Sequence, residues 1–271
     1  MSFSGIRWIE SSDMDAVMRL KEAAGWNQTR QDWERLLELE PEGCFTLVED
    51  GVLAATATAV TYGGDLAWIG MVLTLPEYRG RGFARRLMER VMAFTAGRGI
   101  RSVGLDATDM GIGLYRQFGF QAAGLVERWE RPPGAAPVEP AHLSPWAPAA
   151  DLDRAAFGAD RSRILASLAR LEAASIPGLG YAMGRPGTKA AYFGPSVARS
   201  AAAADCLERW FLARHPNEPV YQDILCSNRE AARLASQYGF RPVRRLTRMF
   251  HGPVTPADES LVFAIASFAY G

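Results

Sequence analysis

A short motif occurs twice in the chain, and this repetition constrains the fold more than any other sequence feature. Residues 114–120 read Leu-Tyr-Arg-Gln-Phe-Gly-Phe and residues 234–240 read Leu-Ala-Ser-Gln-Tyr-Gly-Phe, so the copies lie 120 positions apart and share four of seven residues. Each copy is typical of a helix that ends at an aromatic-Gly pair and is followed by a strand. The flanking helices and strands are predicted in a similar order in both halves. We therefore interpret the chain as two copies of one unit.

A proline-rich segment separates the two copies. Residues 131–140 read Arg-Pro-Pro-Gly-Ala-Ala-Pro-Val-Glu-Pro, and little in this segment can continue a helix or a strand ladder. The 271 residues suffice for two domains that each bury a core. We predict an N-terminal domain over residues 1–132 and a C-terminal domain over residues 141–271. Both are expected to be mixed α/β, each with a mostly antiparallel twisted sheet flanked by helices.

The charge balance and the cysteines exclude several classes of protein. Thirty Lys and Arg residues balance thirty Asp and Glu residues, whereas proteins that bind nucleic acid or anionic membranes usually carry a basic excess. No apolar run approaches the roughly 18 residues of a membrane span, and residues 1–10 lack the pattern of an export signal. The three cysteines are far apart and form no disulfide framework or zinc motif. We expect a cytoplasmic protein with no metal, no nucleic-acid partner and no membrane partner.

The segment with the clearest chemical meaning is a strand that leads through a glycine-rich turn into a helix. The strand is predicted over 66–75, the turn has the sequence Arg-Gly-Arg-Gly at 79–82, and the helix follows. Backbone N–H groups of such a turn and the positive end of the helix face one point, which suits a phosphate or pyrophosphate. A dinucleotide-binding interpretation is weaker because Arg85 stands where G-x-G-x-x-G needs its third glycine, and no Gly-Lys-Ser/Thr of a P-loop follows.

This turn and its surroundings resemble the GNAT superfamily of acetyl-CoA-dependent N-acyltransferases. Residues 79–84 are similar to the family's (Q/R)-x-x-G-x-(G/A) signature, residues 114–120 are similar to its Leu-Tyr-x-x-x-Gly-Phe helix end, and the resemblance covers most of residues 1–130. It implies that acetyl-CoA is the acyl donor, held through its pyrophosphate by the turn and through pantetheine by the preceding strand. The residues that the resemblance assigns to acetyl-CoA are Met71, Val72, Leu73, Arg79, Gly80, Arg81, Gly82, Phe83 and Ala84.

The resemblance also implies a catalytic role for Tyr115. In the family's direct mechanism an amine attacks the thioester within a ternary complex, and the departing thiolate needs a proton. A Tyr hydroxyl, with a free pKa of about 10, can donate that proton at neutral pH. The backbone N–H of Val72 or Leu73 is implied as a donor to the thioester oxygen. The alternative is that Tyr115 only hydrogen-bonds the cofactor sulfur or packs in the core.

The acceptor site and the general base stay open at this point. Candidate acceptor contacts are Trp26 and Asn27 between the first two helices, Trp68 on the strand before the turn, and Asp106 after the next strand. The alternatives are core packing for the two tryptophans and orientation of a turn for Asp106. Residues 1–130 contain no histidine, so the base is Asp106, another carboxylate such as Asp109, a water chain or a group from the second half.

The second copy lacks the residues that carry this chemistry. Tyr115 aligns with Ala235, and residues 192–200, at the position of the turn, contain one glycine and a proline. We expect a degenerate C-terminal domain that packs on the first. Its candidate acceptor contacts are Asp160, Arg161 and Arg163, against the alternative of a solvent-exposed helix start.

These observations predict an N-acetyltransferase that transfers acetyl from acetyl-CoA to a primary amine of a small molecule. A homodimer is an open alternative to a monomer. The rival interpretation is a non-catalytic acyl-CoA-binding or regulatory protein in which Tyr115 is structural.

Overall fold

The computed structural model describes residues 3–136 and 138–271. Its strands are β1 (Gly5–Trp8), β2 (Cys44–Glu49), β3 (Val52–Tyr62), β4 (Leu66–Thr74), β5 (Ser102–Ala107), β6 (Gln121–Arg131), β7 (Ser144–Pro145), β8 (Glu172–Ile176), β9 (Gly180–Arg185), β10 (Ala191–Ala198), β11 (Val220–Leu225), β12 (Arg241–His251) and β13 (Val262–Ala264). Its helices are α1 (Met14–Ala23), α2 (Arg30–Leu39), α3 (Phe83–Gly97), α4 (Asp109–Gln117), α5 (Ala150–Phe157), α6 (Ser162–Leu168), α7 (Ala201–Leu212) and α8 (Arg229–Gln237). Short 3-10 helices lie at Ser11–Asp13, Pro41–Gly43, Pro76–Tyr78 and Glu259–Leu261.

The repeated motif forms the same local structure in both halves. It ends α4 and α8, and the glycines that follow, Gly119 and Gly239, have left-handed backbone with φ of 81° and 83°. The N–H of Phe120 donates to the carbonyl of Tyr115 at 3.2 Å, and the second copy has the equivalent bond at 3.1 Å. These bonds belong to the Schellman motif that ends many helices. The predicted helix, turn and strand at both copies are confirmed.

The strands form one continuous sheet that runs through both halves. Its order is β1-β2-β3-β4-β5-β12-β6-β11-β10-β9-β8-β7, with β13 paired to β10. Neighbouring strands are antiparallel except β4–β5 and β10–β11, which are parallel. The mixed α/β class with a mostly antiparallel sheet is confirmed. The expectation of a separate sheet for residues 1–132 and another for 141–271 is wrong.

The physical reason is that the strand after the repeated motif, β6 in the first half and β12 in the second, pairs with a strand of the other half. β12 pairs with β5, from Thr247 opposite Ala107 to His251 opposite Val103, and β6 pairs with β11. β6 and β12 follow the two copies of the motif, so they have similar alternation and similar partners available. Side-chain alternation decides which face of a strand is buried, but it does not decide which of two equivalent edges the strand joins. As a result, neither half completes its sheet without a strand from the other.

Two buried ion pairs accompany this exchange. One lies at the junction of β12 with β5, and the other at the junction of β6 with β11. Arg248 on β12 donates two hydrogen bonds to Asp106 on β5, each 2.9 Å long. Arg128 on β6 donates two to Asp223 on β11, each 2.8 Å long. Both carboxylates are fully buried, and each contact is the bidentate arrangement that a guanidinium forms best. The two pairs therefore join the halves through equivalent residues.

A hydrophobic core also crosses between the halves. It contains Trp33 from α2 together with Leu165, Tyr181 and Tyr270 from the C-terminal half. The hydroxyl of Tyr62 on β3 donates to the carbonyl of Tyr270 at 2.7 Å. The C-terminal segment is thus packed into the N-terminal half. Within the described ranges, no helix is long and apolar enough to cross a membrane.

A buried glutamate on α7 gives a pH-dependent prediction for stability. Burial raises the pKa of Glu208 to about 8, and its carboxylate accepts one hydrogen bond from Gln222 at 3.2 Å. Because the folded-state pKa lies above the unfolded-state pKa, the folded protein holds this proton more tightly and loses stability as pH rises from about 4.5 to 8. Glu208→Gln removes this titration. We expect the variant to gain on the order of 2 kcal/mol relative to the parent between pH 5 and 7.

Urea unfolding at several pH values measures this gain. Glu34→Gln, at an exposed position of α2, is the matched control and should show no such trend. If the free energies of unfolding of Glu208→Gln and of the parent chain changed with pH in parallel, Glu208 would not be the group that titrates.

Candidate active site

The cavity begins where β4 and β5 separate. The two strands pair from Leu66 opposite Ser102 to Ile69 opposite Leu105, and beyond that point each continues without the other. At Met71 the backbone has a φ of 50°, and the register of β4 against β3 shifts there. The hydroxyl of Thr56 on β3 donates to the Met71 carbonyl at 2.8 Å and holds the irregular backbone. A bulge of this kind bends a strand, and here it accompanies a wedge-shaped opening.

The glycine-rich turn lies between β4 and α3. Gly80 and Gly82 both have φ of 78°, and a Cβ at either position would meet no atom within 4 Å. No side chain caps the N-terminus of α3, so the first backbone N–H groups of the helix have no side-chain acceptor. Arg79 lines the cavity, and its Nε donates to the Thr74 carbonyl at 3.3 Å. The turn is therefore an open backbone cradle that fits a pyrophosphate group.

Tyr115 on α4 faces the same cavity. Its side chain is 8% exposed, and its hydroxyl has no hydrogen-bond partner within residues 3–136 and 138–271. A Cβ at Gly111 would lie 2.7 Å from the Tyr115 ring, so the glycine provides the space that the ring occupies. Burial raises the pKa of Tyr115 to about 12. The hydroxyl is therefore protonated at neutral pH and available to a ligand.

The predicted donor-site residues divide into two groups. Met71, Val72, Leu73 and Arg79 line the cavity, which has a volume of about 250 Å³. The others form the turn and the start of α3 outside the lining: Gly80, Arg81, Gly82, Phe83 and Ala84. Phe83 is buried and stacks on Tyr78 with a centroid distance of 5.9 Å. The structure therefore brings the wedge, Arg79 and Tyr115 to one cavity, and the cradle begins directly after Arg79 in the chain.

Two of the four predicted acceptor residues lie at the cavity, and one of these is already paired. Trp26 and Asp106 line it. Both Asp106 oxygens, however, accept from Arg248, so this carboxylate is not free to act as a base. Within the described part of the chain, no other carboxylate lines the cavity.

Asn27 and Trp68 have structural roles instead. The Asn27 side-chain oxygen accepts from the backbone N–H of Lys189 at 2.8 Å and of Ala190 at 3.1 Å, and its amide nitrogen donates to the Ala190 carbonyl. Trp68 is 1% exposed, and its indole N–H donates to the Phe268 carbonyl at 3.2 Å. Both side chains join the two halves, because their polar groups form hydrogen bonds with residues of the second half. Neither side chain lines the cavity.

The candidates from the second half are also not at the cavity. Arg161 is buried, and its Nε donates to Asp153 at 3.0 Å. Arg163 donates to the Leu39 carbonyl at 2.8 Å, and Asp160 accepts from a backbone N–H at the start of α6. The contacts of these residues stabilise the fold, and none of the three residues lines the cavity.

The second half nevertheless contributes one wall of the cavity. We call it the C-terminal wall, and it consists of Arg244, Leu246, Phe268 and Ala269. A Cβ at Gly70 would lie 2.8 Å from the Cα of Ala269, so the glycine allows the close approach. Sequence reasoning missed this wall because it depends on the strand exchange. Arg128 and Arg248 lie 120 positions apart, which is also the distance between the two copies of the motif. This equal spacing is a sequence signal that β6 and β12 have equivalent roles.

The corresponding wedge in the second half is filled by the chain itself. β13 pairs with β10 at Ser196 and Val197, beyond Tyr192, where the pairing of β10 with β11 ends. Only Arg199 and Ser200 connect β10 to α7, and the Ser200 side chain caps this helix. This half therefore has neither an open strand edge nor a glycine cradle, in agreement with a degenerate copy.

Comparison with known protein families gives two matches along the chain. Residues 8–120 match the Acetyltransferase (GNAT) family, and residues 149–264 match a second family, described as an Acetyltransferase (GNAT) domain. An acetyltransferase of Yersinia pestis (strain Pestoides F) is 27% identical over 130 residues, which cover 45% of this chain and 90% of that protein. The N-alpha-acetyltransferase RimI of Mycobacterium tuberculosis is 38% identical over 60 residues, 22% of this chain and 38% of that protein.

Solved structures share the fold over nearly the whole chain. A protein from Pyrococcus horikoshii has a TM-score of 0.86 at 22% identity, with coverage of 100% of this chain and 98% of that chain. A GCN5-related N-acetyltransferase from Sphaerobacter thermophilus has a TM-score of 0.66 at 18% identity, with coverage of 94% and 97%. The arrangement of both halves therefore occurs in other proteins.

Proposed function

The chain belongs to the GNAT family of acetyltransferases, and on this premise we propose that its N-terminal half transfers acetyl from acetyl-CoA to a primary amine of a small molecule. The observation that carries the proposal is the single cavity shared by the opened β4 edge, Arg79 and Tyr115. The edge offers backbone groups to an extended pantetheine arm. The cradle at Gly80 and Gly82 offers backbone N–H groups to the pyrophosphate.

Tyr115 is proposed as the general acid. The amine nitrogen forms a bond to the thioester carbon and loses a proton to water, the carbon–sulfur bond breaks, and the sulfur leaves with the electron pair. The Tyr115 hydroxyl gives its proton to that thiolate and regains one from solvent. Its pKa of about 12 means that the hydroxyl carries its proton at neutral pH, and the hydroxyl has no partner among the described residues that would hold it away from the sulfur.

The acceptor amine is proposed to enter as the neutral base. This follows because Asp106, the cavity's carboxylate, is held by Arg248 and cannot take the ammonium proton without losing that pair. Gln28 lines the cavity, and its side-chain oxygen is buried without a hydrogen-bond partner in the described residues. This oxygen is suited to accept an amine N–H and to orient the nitrogen lone pair toward the thioester.

A calorimetric titration with acetyl-CoA tests donor binding. We expect saturation near one equivalent per chain for the parent and no measurable binding for Gly82→Trp, because the indole would fill the cradle. Gly63→Trp is the matched control: Gly63 also has a left-handed backbone with open space around it, but it lies in the β3–β4 turn. This control should bind normally.

Three results would argue against the proposed donor site. They are no binding by the parent chain, equal binding by Gly82→Trp, and binding of NAD in place of acetyl-CoA. Normal acetyl-CoA binding without acetylation of any amine would favour the non-catalytic acyl-CoA-binding alternative.

A further inference from the structure

An arginine without a partner lies on the C-terminal wall of the cavity. Arg244, near the start of β12, lines the cavity with Leu246 and is half-buried. Its neighbour Arg245 is on the other face of the strand, where it donates to Glu127 at 2.9 Å. Strand alternation thus directs Arg244 inward and Arg245 outward. Arg244 makes no hydrogen bond or ion pair with any residue of 3–136 or 138–271.

The charged side chains that act on Arg244 are Arg128 and Asp223, which pair with each other. Arg244 lies opposite Arg128 in the β6–β12 ladder, and like charges that face each other across a strand pair repel. The Asp223 carboxylate also acts on Arg244, but its two oxygens already accept hydrogen bonds from Arg128. Burial lowers the pKa of Arg244, and the positive charge of Arg128 lowers it further. The negative charge of Asp223 offsets only part of this decrease. The guanidinium nevertheless keeps its charge, as arginines in proteins do.

Two of the three other charged side chains that line the cavity in the described residues have an oppositely charged partner. Asp106 is neutralised by Arg248, and Arg128 by Asp223. Arg79 lies beside the glycine cradle, at the opposite end of β4 from the β5 junction. The cavity therefore has one uncompensated positive charge at the wall that the second half provides. A half-buried cation of this kind is stabilised by an anion that enters the cavity.

We propose that Arg244 binds a carboxylate of the acceptor, so that the acetylated amine belongs to an amino-acid-like small molecule. The inference rests on the proposed acetyl transfer and assigns its substrate class. A guanidinium binds a carboxylate through two parallel hydrogen bonds, which fixes the orientation of the acceptor as well as its charge. The acceptor carboxylate would bind Arg244 at the C-terminal wall, and the Gln28 side-chain oxygen would accept a hydrogen bond from the amine.

Matched pairs of acceptors test this assignment. Glycine and the L-amino acids with a primary amine, except cysteine with its own thiol, are assayed beside their α-carboxamides for acetyl-CoA-dependent release of free thiol. Rates are expressed per concentration of unprotonated amine. We expect kcat/KM to favour the acid over its amide by roughly 10-fold or more for the best side chain. Arg244→Gln should remove this preference, and Arg244→Lys should retain part of it, since an ammonium keeps the charge but not the two parallel bonds.

Two controls separate this inference from the proposed function. Arg245→Gln, on the outer face of the same strand, should keep the full preference. Calorimetry with acetyl-CoA should give the same affinity for Arg244→Gln as for the parent. Loss of acetyl-CoA affinity in Arg244→Gln would overturn the inference and assign the residue to the donor.

Other outcomes also decide the question. Equal rates for acids and amides, or no acetylation of either series by protein that binds acetyl-CoA, would overturn the carboxylate assignment alone. O-phosphoethanolamine and ethanolamine are compared in parallel, and a preference confined to the phosphate pair would likewise overturn it. Failure of the parent chain to bind acetyl-CoA would overturn the proposed function and this inference together.

Discussion

Replacement of Tyr115 by phenylalanine is expected to lower kcat by about 10²- to 10³-fold, which is the usual contribution of a general acid. Phenylalanine keeps the ring in the space beside Gly111 and removes only the hydroxyl that faces the cavity. Acetyl-CoA affinity should therefore change little. Release of free CoA thiol measures the rate, and calorimetry measures the affinity. Tyr238→Phe is the control, because its hydroxyl bonds Asp205 outside the cavity.

The pH dependence adds a second criterion for the same residue. Because burial raises the pKa of Tyr115 to about 12, its ionisation should not lower the rate of the parent at any pH up to about 10. The value of kcat/KM should instead rise with pH until the acceptor amine is deprotonated. Full activity in Tyr115→Phe would eliminate the general-acid role and leave a tyrosine that only packs in the core.

Loss of Arg248 is expected to lower the free energy of unfolding by about 3–5 kcal/mol, the usual cost of leaving a buried charge unpaired. Arg248→Met preserves most of the side-chain volume but leaves Asp106, fully buried, without its two hydrogen bonds. Urea unfolding of the full chain measures the effect. The double variant Asp106→Leu/Arg248→Met removes both charges and should recover most of the stability. Replacement of a whole buried ion pair by apolar side chains often leaves the free energy of unfolding unchanged.

The equivalent pair at the other junction provides an internal comparison. In Arg128→Met, Asp223 keeps a hydrogen bond from the Tyr192 hydroxyl at 2.8 Å, so we expect a smaller loss than for Arg248→Met. Arg245→Met, which breaks only the surface pair with Glu127, should leave the unfolding midpoint unchanged. If Arg248→Met were as stable as the parent chain, the ion pair would not hold the exchanged strand in place.

The parts of the candidate site that sequence reasoning located are short and local. The cradle requires two glycines a fixed distance apart before a helix, and Gly80 and Gly82 adopt the same left-handed conformation that only glycine adopts readily. Tyr115 was located through the motif at the end of α4, whose turn is closed by hydrogen bonds within seven residues. Such features depend on neighbours in the chain, so the sequence contains them directly.

The acceptor side of the cavity was predicted less well because its contacts are distant in sequence. Asn27 bonds to Ala190 and Trp68 to Phe268, and both residues were expected to contact the acceptor. Arg244 was not anticipated at all. Nothing near Arg244 in the sequence distinguishes it from Arg245, and only the pairing of β12 determines which of the two faces the cavity.

By itself the sequence determined the duplication, the α/β class, the strand–turn–helix of the proposed donor site and the absence of its counterpart in the second half. These follow from local conformational preference and from hydrophobic alternation, which act over a few residues. Only the tertiary structure decided that β6 and β12 exchange places, that Arg128 and Arg248 bind the carboxylates of the opposite half, and that the second half forms a wall of the first half's cavity. The physical reason is that two equivalent sheet edges offer a strand the same backbone hydrogen bonds, so the choice between them depends on packing across the whole molecule.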